Sequence, residues 1–342
     1  MSSKRKLKPR STSSKHESKG AIFAALAANV GIAISKFVAF LITGASSMLA
    51  EAVHSLADSS NQILLLIGSH KSKRKPTRTH PFGYGRAHFL YAFIVSIVIF
   101  SVGGMFAVYE GMHKIQDPVM IDTPIVAYVV IAVSMIFEGA ALRTALREAR
   151  SFKPKTQSWW QFLQETKSVN HIVLALEDST ALIGLMFAAI GVTLSIITGN
   201  PVWDGIATLC IGVLLVCVAV ILFREAQSLL IGEAADSATE RKIRQIVLEV
   251  ESIDKVVDLK TLYTGPQELF IAMKVTVGRN DEAHEISRAI DEVEARLRHE
   301  FPIARLIYIE PDIYKSPAQQ KVSDNAVKRS LRQRLARSSK RK

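Results

Sequence analysis

The stretch LAEAVHSLADSSNQILLLIG, residues 49–68, is mostly apolar yet carries Glu51, His54 and Asp58. An ionisable side chain near the middle of a bilayer is costly and points to function by default. In a helix, His54 and Asp58 are four residues apart and share one face, with Cβ atoms about 6 Å apart. One imidazole and one carboxylate make half of a tetrahedral divalent-metal site. The other half must come from another segment, and LALEDSTALIGL supplies two acids, Glu177 and Asp178. At about 1.5 Å of rise per residue, Asp178 falls near the middle of the apolar stretch 170–197 and Asp58 near the middle of 46–69. Two acids at matching depth cannot both stay charged and unpaired in lipid, so a shared cation is the simplest solution.

The elements that would position these groups follow from composition. A chain of 342 residues with 49% hydrophobic residues holds too much apolar sequence for one soluble core, and 22% charged residues is too many for a chain in the membrane throughout. Six stretches reach the roughly 20 apolar residues needed to cross a bilayer: 21–43, 46–69, 89–112, 122–146, 170–197 and 202–224. The first follows a basic leader but lacks an A-x-A-like cleavage site and is followed at once by a second span, so it reads as a true span. Lys71, Lys73, Arg74, Lys75, Arg78 and Arg86 join spans two and three, and Arg143, Arg147, Arg150, Lys153, Lys155 and Lys167 follow span four. The loops between spans one and two and before span six carry no Lys or Arg. The positive-inside bias therefore places both termini in the cytoplasm. With the basic tails at 1–19 and 315–342 it also accounts for the net charge of +12, so no nucleic-acid partner is expected. Cys210 and Cys217 lie in an apolar run with no metal-ligand or disulfide spacing.

After the last span the pattern becomes that of a soluble module. SATERKIRQIVLEVES has helical apolar spacing, with Ser237 or Thr239 as N-cap. VVDLKTLYTG and ELFIAMKVTVG read as a hairpin across Gly265-Pro266, followed by the amphipathic helix DEAHEISRAIDEVEARLRHEF and a strand, ARLIYIEPDIY, stopped by Pro311. The expected fold class is thus a membrane all-α domain of six transmembrane helices, residues 20–225, followed by a cytoplasmic α+β domain, residues 226–314, of ferredoxin-like αββαβ order. Two helices on one face of three strands leave sheet surface that a second copy could cover, which favours a homodimer.

LAEAVHSLADSSNQ, HPFGYGRAH at 80–88, EDSTALIGL, NPVWDG and IYIEPD together resemble the cation diffusion facilitators, homodimeric proton-coupled exporters of zinc, iron, manganese or cobalt. The resemblance covers about residues 21–313 and implies a transport site between spans two and five, with His54, Asp58 and Asp178 as metal ligands. There are departures. Many zinc-selective members carry His or Asp where this chain has Leu174. Glu177 points about 100° around the helix from Asp178 and helps only if the helix is irregular, whereas Asn29 on span one or water could offer an oxygen. An oxygen-richer site moves the expectation towards iron, manganese or cobalt, with zinc still named first. The second metal site of some relatives is absent here, where Tyr84 and Thr77 stand at its positions, so His80 and His88 read as loop and helix-start residues. Val257, Lys274 and Tyr308 replace the histidines that bind regulatory metal in the soluble module of some relatives. Only His284 and Glu310 remain as donors there, and the module reads as purely dimerising.

Other buried polar residues have structural readings. Lys36 and Glu51, at similar depth in spans one and two, are expected to pair, and Asp204 to cap span six. Glu138 either pairs near the cytoplasmic side or lines the ion path, and His171 sits at the interface. No catalytic triad, P-loop or nucleotide motif is present, so an enzyme is not expected and no cofactor is called for. The reading is proton-coupled antiport of a divalent cation by alternating access, in a multi-pass protein of a bacterial inner membrane. Two alternatives are a non-transporting metal-binding scaffold or sensor and an organic-cation transporter using the same acids.

Overall fold

A computed structural model describes residues 19–152, 169–278 and 282–313. The tails, the charged linker 153–168 and the side chains of His171 and Leu174 lie outside the described residues. Helices α1 (Lys19–Thr43), α2 (Ser46–Ser72), α3 (Ala87–Gln116), α4 (Pro124–Phe152), α5 (Val169–Thr198) and α6 (Val202–Ile231) come first. They are followed by α7 (Ser237–Leu248), β1 (Ile253–Gly265), β2 (Glu268–Val277), α8 (Ala283–Glu300) and β3 (Ala304–Ile313). The chain divides into two compact units, one of Met1–Lys73 with Ala87–Gln227 and one of Arg74–Arg86 with Ser228–Lys342.

In the first unit, α3, α4, α5 and α6 hold windows long and apolar enough to cross a membrane, and α1 contributes the shorter apolar run Asn29–Thr43. Helix α2 is not apolar enough, and its burial pattern explains why. Glu51, His54, Ser55 and Asn61 are buried, whereas Leu56, Ile63, Leu66 and Ile67 are exposed. This is the reverse of a soluble amphipathic helix, which turns its apolar stripe inward. An outward apolar face and an inward polar one suit a helix surrounded by lipid. Small residues let the helices approach closely: Ala39, Ala45, Ala50, Ala107 and Ala188 belong to the buried cluster, alongside larger side chains such as Met48, Leu185 and Ile211. A π-helical turn, Ile99–Met105, interrupts α3.

Asp204, in the first turn of α6, does not cap its own helix as its position suggested. Its carboxylate is fully buried and accepts from the Ser46 backbone N–H at 2.7 Å and from the Ser46 hydroxyl at 3.1 Å, and also from the Ser47 hydroxyl. It therefore caps α2, whose first N–H groups lack intrahelical partners. Asn200 caps α6 instead, its Oδ1 accepting from Val202 N at 3.0 Å. At the other side of the same α1–α2 turn, the buried Lys114 ammonium donates to the Gly44 carbonyl at 2.7 Å.

In the second unit the element order is αββαβ and the strand order β1-β2-β3. β1 and β2 pair antiparallel across Pro266-Gln267, while β2 and β3 pair parallel as direct neighbours joined through α8. Leu269, Ile271, Met273 and Val275 alternate along β2 as buried residues, and Ile243 and Val247 of α7 and Val293 and Leu297 of α8 are buried on the two helices. Two expectations are corrected here. Asp236, not Ser237 or Thr239, is the N-cap of α7, accepting from Ala238 N and Thr239 N at 2.9 Å each. Pro311 does not stop the last strand, since β3 runs to Ile313 with Pro311 opposite Val275. β3 is an edge strand, where a missing N–H on the outer side costs no ladder bond.

The loop Arg74–Arg86 belongs to this unit. A Cβ on Gly85 would meet the Thr264 carbonyl and stand 3.1 Å from the Gly265 Cα, so only glycine lets this loop lie on the β1–β2 turn. Phe82 meets Phe270 edge-on at 6.2 Å between ring centroids, and His80 packs on Tyr84 at 4.5 Å.

Candidate functional site

The site begins with one turn of α2. A helix sets residues four apart on one face, and here it brings His54 Nε2 to 3.5 Å from Asp58 Oδ2. His54 is buried and Asp58 partly so. Neither imidazole nitrogen, nor Asp58 Oδ1, has a hydrogen-bond partner among the described residues. A buried histidine ordinarily satisfies its ring nitrogens. With no hydrogen bond to these atoms among the described residues, the ion-paired imidazole and carboxylate have lone pairs to offer a cation.

Helix α5 packs against α2 and contributes the acids. Glu177 is buried and accepts from Asn61 Nδ2 at 3.3 Å, while Asp178 is only half-buried. Asp178 is the expected ligand and Glu177 the less certain one; in the structure Glu177 is the more buried of the two and the one hydrogen-bonded to α2. α5 is continuous through this turn, yet Glu177 is the acid that meets α2. Asp178 has the carboxylates of Glu138 and Asp58 as charged neighbours, and Glu138 in turn feels Lys36, Asp58, His54 and Glu51. Five acids, one histidine and one lysine from α1, α2, α4 and α5 therefore share one electrostatic neighbourhood. No three His, Cys, Asp or Glu side chains among the described residues are gathered closely enough to hold an ion. His54 and Asp58 are together, with Asp178 and Glu177 within electrostatic reach. Asn29 is half-buried on α1.

Beyond His54, Lys36 and Glu51 pair at 2.9 Å with both side chains fully buried, and the same ammonium reaches Ser55 Oγ at 2.9 Å. Glu51 Oε1 has no hydrogen-bond partner among the described residues and lies where a Cβ on Gly184 of α5 would stand. The expected Lys36–Glu51 pair is present. Ser55 and Asn61 were missed, and the available signal was their spacing: Glu51, His54, Asp58 and Asn61 are separated by three, four and three residues, one stripe of a helix.

The other histidines are elsewhere. His80 is exposed in the second unit, hydrogen-bonded to Thr79, and His88 is buried at the start of α3. His284 lies 3.1 Å from Glu282. Glu310 is engaged by Lys274, whose ammonium sits 3.0 Å from Glu310 and 3.0 Å from Asp312.

Residues 22–231 match the family model described as the cation efflux transmembrane domain, and residues 235–312 match that of the cation efflux protein, cytoplasmic domain. The chain is 32% identical over 231 residues to the proton-coupled zinc antiporter SLC30A9, mitochondrial, of Homo sapiens, a match covering 67% of this chain and 41% of that protein. The match thus spans about two-fifths of the relative's length. It is 25% identical over 277 residues to the magnetosome protein MamM of Paramagnetospirillum magneticum (strain ATCC 700264 / AMB-1), covering 79% of each. A cadmium form of a MamM CTD variant aligns with 23% of this chain and 98% of its own, at 15% identity and a TM-score of 0.22.

Proposed function

We propose that this chain, which belongs to the cation efflux family of membrane transporters and is not an enzyme, exchanges a divalent transition-metal cation for protons at His54, Asp58 and Asp178. The observation that carries the reading is the His54–Asp58 pair, 3.5 Å apart on the buried polar face of a lipid-facing helix, with ring nitrogens and a carboxylate oxygen unpaired among the described residues. Zinc is the first cargo to test, in keeping with the name of the 32% identical human relative, a proton-coupled zinc antiporter, and iron, manganese and cobalt are the alternatives.

Coupling follows from donor chemistry. A histidine and carboxylates bind metal only when deprotonated, so loading releases protons, and protonation from the far side expels the ion. Asp178 and Glu177 on α5 close the site as α2 and α5 rock between inward-open and outward-open forms. In this reading α1 and α2 are spans as well, making six. α2 is polar because its inner face lines the path. The basic residues Lys71, Lys73, Arg74 and Lys75 after α2 put that end, and both termini, on the cytoplasmic side. The αββαβ module is read as a three-stranded variant of the ferredoxin-like fold that pairs two copies. Which membrane holds the protein does not enter the mechanism.

Purified protein in vesicles with an imposed pH gradient should move Zn²⁺, Fe²⁺, Mn²⁺ or Co²⁺ and not an organic amine. Asp58→Ala or Asp178→Ala should reduce flux to that of empty vesicles, and metal affinity should rise with pH. Flux that survives both substitutions sinks the site. The second reading, a metal-binding scaffold or sensor, draws on the lack of a gathered three-ligand cluster among the described residues. It predicts metal binding with no flux in the intact protein.

A further inference from the structure

Glu51 Oε1, both His54 nitrogens, Asp58 Oδ1 and Asn61 Oδ1 are buried atoms without hydrogen-bond partners among the described residues, and all lie on one stripe of α2. From Glu51 to Asn61 the stripe runs about 15 Å. Asn61 is its inner end. It is fully buried, one turn beyond Asp58, with its amide N–H donated to Glu177 Oε1 at 3.3 Å and its carbonyl oxygen left over.

An amide that only braced two helices would pair at both ends, because an unpaired buried carbonyl is destabilising. Here only the donor end is used. The acceptor end sits beside a carboxylate and one turn from Asp58, where the missing partner would be a cation.

We propose that Asn61 is a specificity-determining ligand of the cation site, its amide oxygen and the Glu177 carboxylate together supplying hard oxygen donors to a divalent ion held by His54 and Asp58. When the site is empty, the amide N–H holds Glu177 against α2. When the ion arrives, the carboxylate leaves that N–H and turns with the amide oxygen onto the metal. Oxygen donors favour Mn²⁺, and nitrogen or sulfur donors favour Zn²⁺, so Asn61 biases the site towards manganese relative to the same site without it. The proposal rests on the reading of His54 and Asp58 as the transport site.

The test is calorimetric titration of the purified full-length protein with Mn²⁺ and with Zn²⁺, with vesicle uptake of both ions as a second readout. Asn61→Leu should weaken Mn²⁺ relative to Zn²⁺ by about tenfold or more. Asn61→His should move the ratio the same way by strengthening Zn²⁺, and Asn61→Asp, which keeps an oxygen, should retain Mn²⁺. If the leucine variant does not fold, the histidine and aspartate variants carry the comparison. A Mn²⁺ to Zn²⁺ ratio unchanged across the folded variants overturns the role of Asn61. Asp58→Ala separates this from the larger reading. Loss of both ions there, with an unmoved ratio in the Asn61 variants, sinks Asn61 alone, whereas binding of both ions that survives Asp58→Ala sinks the transport site.

Discussion

Lys36 and Glu51 illustrate how a residue pair can be indispensable without adding stability. Two charges with side chains fully buried at 2.9 Å recover little more than their desolvation cost, but removing one strands the other. Lys36→Met is expected to destabilise the protein by about 3–5 kcal/mol, and Lys36→Met combined with Glu51→Leu to regain most of that loss. Thermal melting of the three proteins in one detergent measures both. A double variant no more stable than the single one would mean that the pair does more than balance charge. Opposite charges isolated in adjacent apolar stretches have few alternatives, so this pair was legible in the sequence. Asn61 was not, because a sequence does not show whether an amide is buried with its carbonyl unpaired, and its meaning depends on which acid of α5 it meets.

Helix ends decide several questions at the next scale. Asp204 holds the first turn of α2 through Ser46 and Ser47, across 158 residues of sequence. Asp204→Ala should therefore speed amide exchange in the first turn of α2 more than in α6, whose own cap is Asn200, and should cost about 1–2 kcal/mol. Faster exchange confined to α6 would contradict the cross-helix cap. Asp236 offers a pH-dependent counterpart outside the membrane helices. Burial pushes its carboxyl up, but hydrogen bonds from the Thr239 hydroxyl and from the N–H groups of Thr239 and Ala238 outweigh it and hold it below the usual carboxylate range. A depressed carboxyl contributes stability that is fully present above its unfolded value and is lost as pH falls through the folded one. Protection factors in the first turn of α7 should thus drop on acidification below about pH 4, and Asp236→Asn should remove that dependence. An unchanged profile in Asp236→Asn would assign it to another group. Both caps escaped sequence reasoning for the same reason: several oxygen-bearing residues stand near each helix start, and only backbone geometry selects one.

At the scale of the whole molecule, one unit turns apolar side chains outward and the other exposes its own apolar residues on a small sheet. Val257 on β1 and Tyr308 on β3 are 50% and 58% exposed, and Phe82, on the loop Arg74–Arg86 of the same unit, is 57% exposed. A second copy seated on such a surface gives a dimer, in line with the family in which this module occurs. Full-length protein in detergent should run as a dimer by light scattering, and a chain ending at Ile231 should shift towards the monomer. A truncated chain that remains fully dimeric would move the interface into the membrane helices. Gly85→Val tests the loop in the same unit. A side chain there meets the Thr264 carbonyl, so the loop should become accessible to protease while flux of a well-folded variant reports whether its docking matters.

Apolar length, charge sidedness and the polar stripe of residues 49–68 were determined by sequence alone, because hydrophobic burial and the cost of charge in oil act on each segment wherever its neighbours are. The αββαβ order was equally local, set by periods of two and 3.6. Tertiary structure decided which acid of α5 meets α2, that Asp204 caps a distant helix, and that β3 continues through Pro311 because it lies at a sheet edge. Each of these depends on which groups face one another across an interface, and helix rotation and strand order, which fix that, are set by packing between segments.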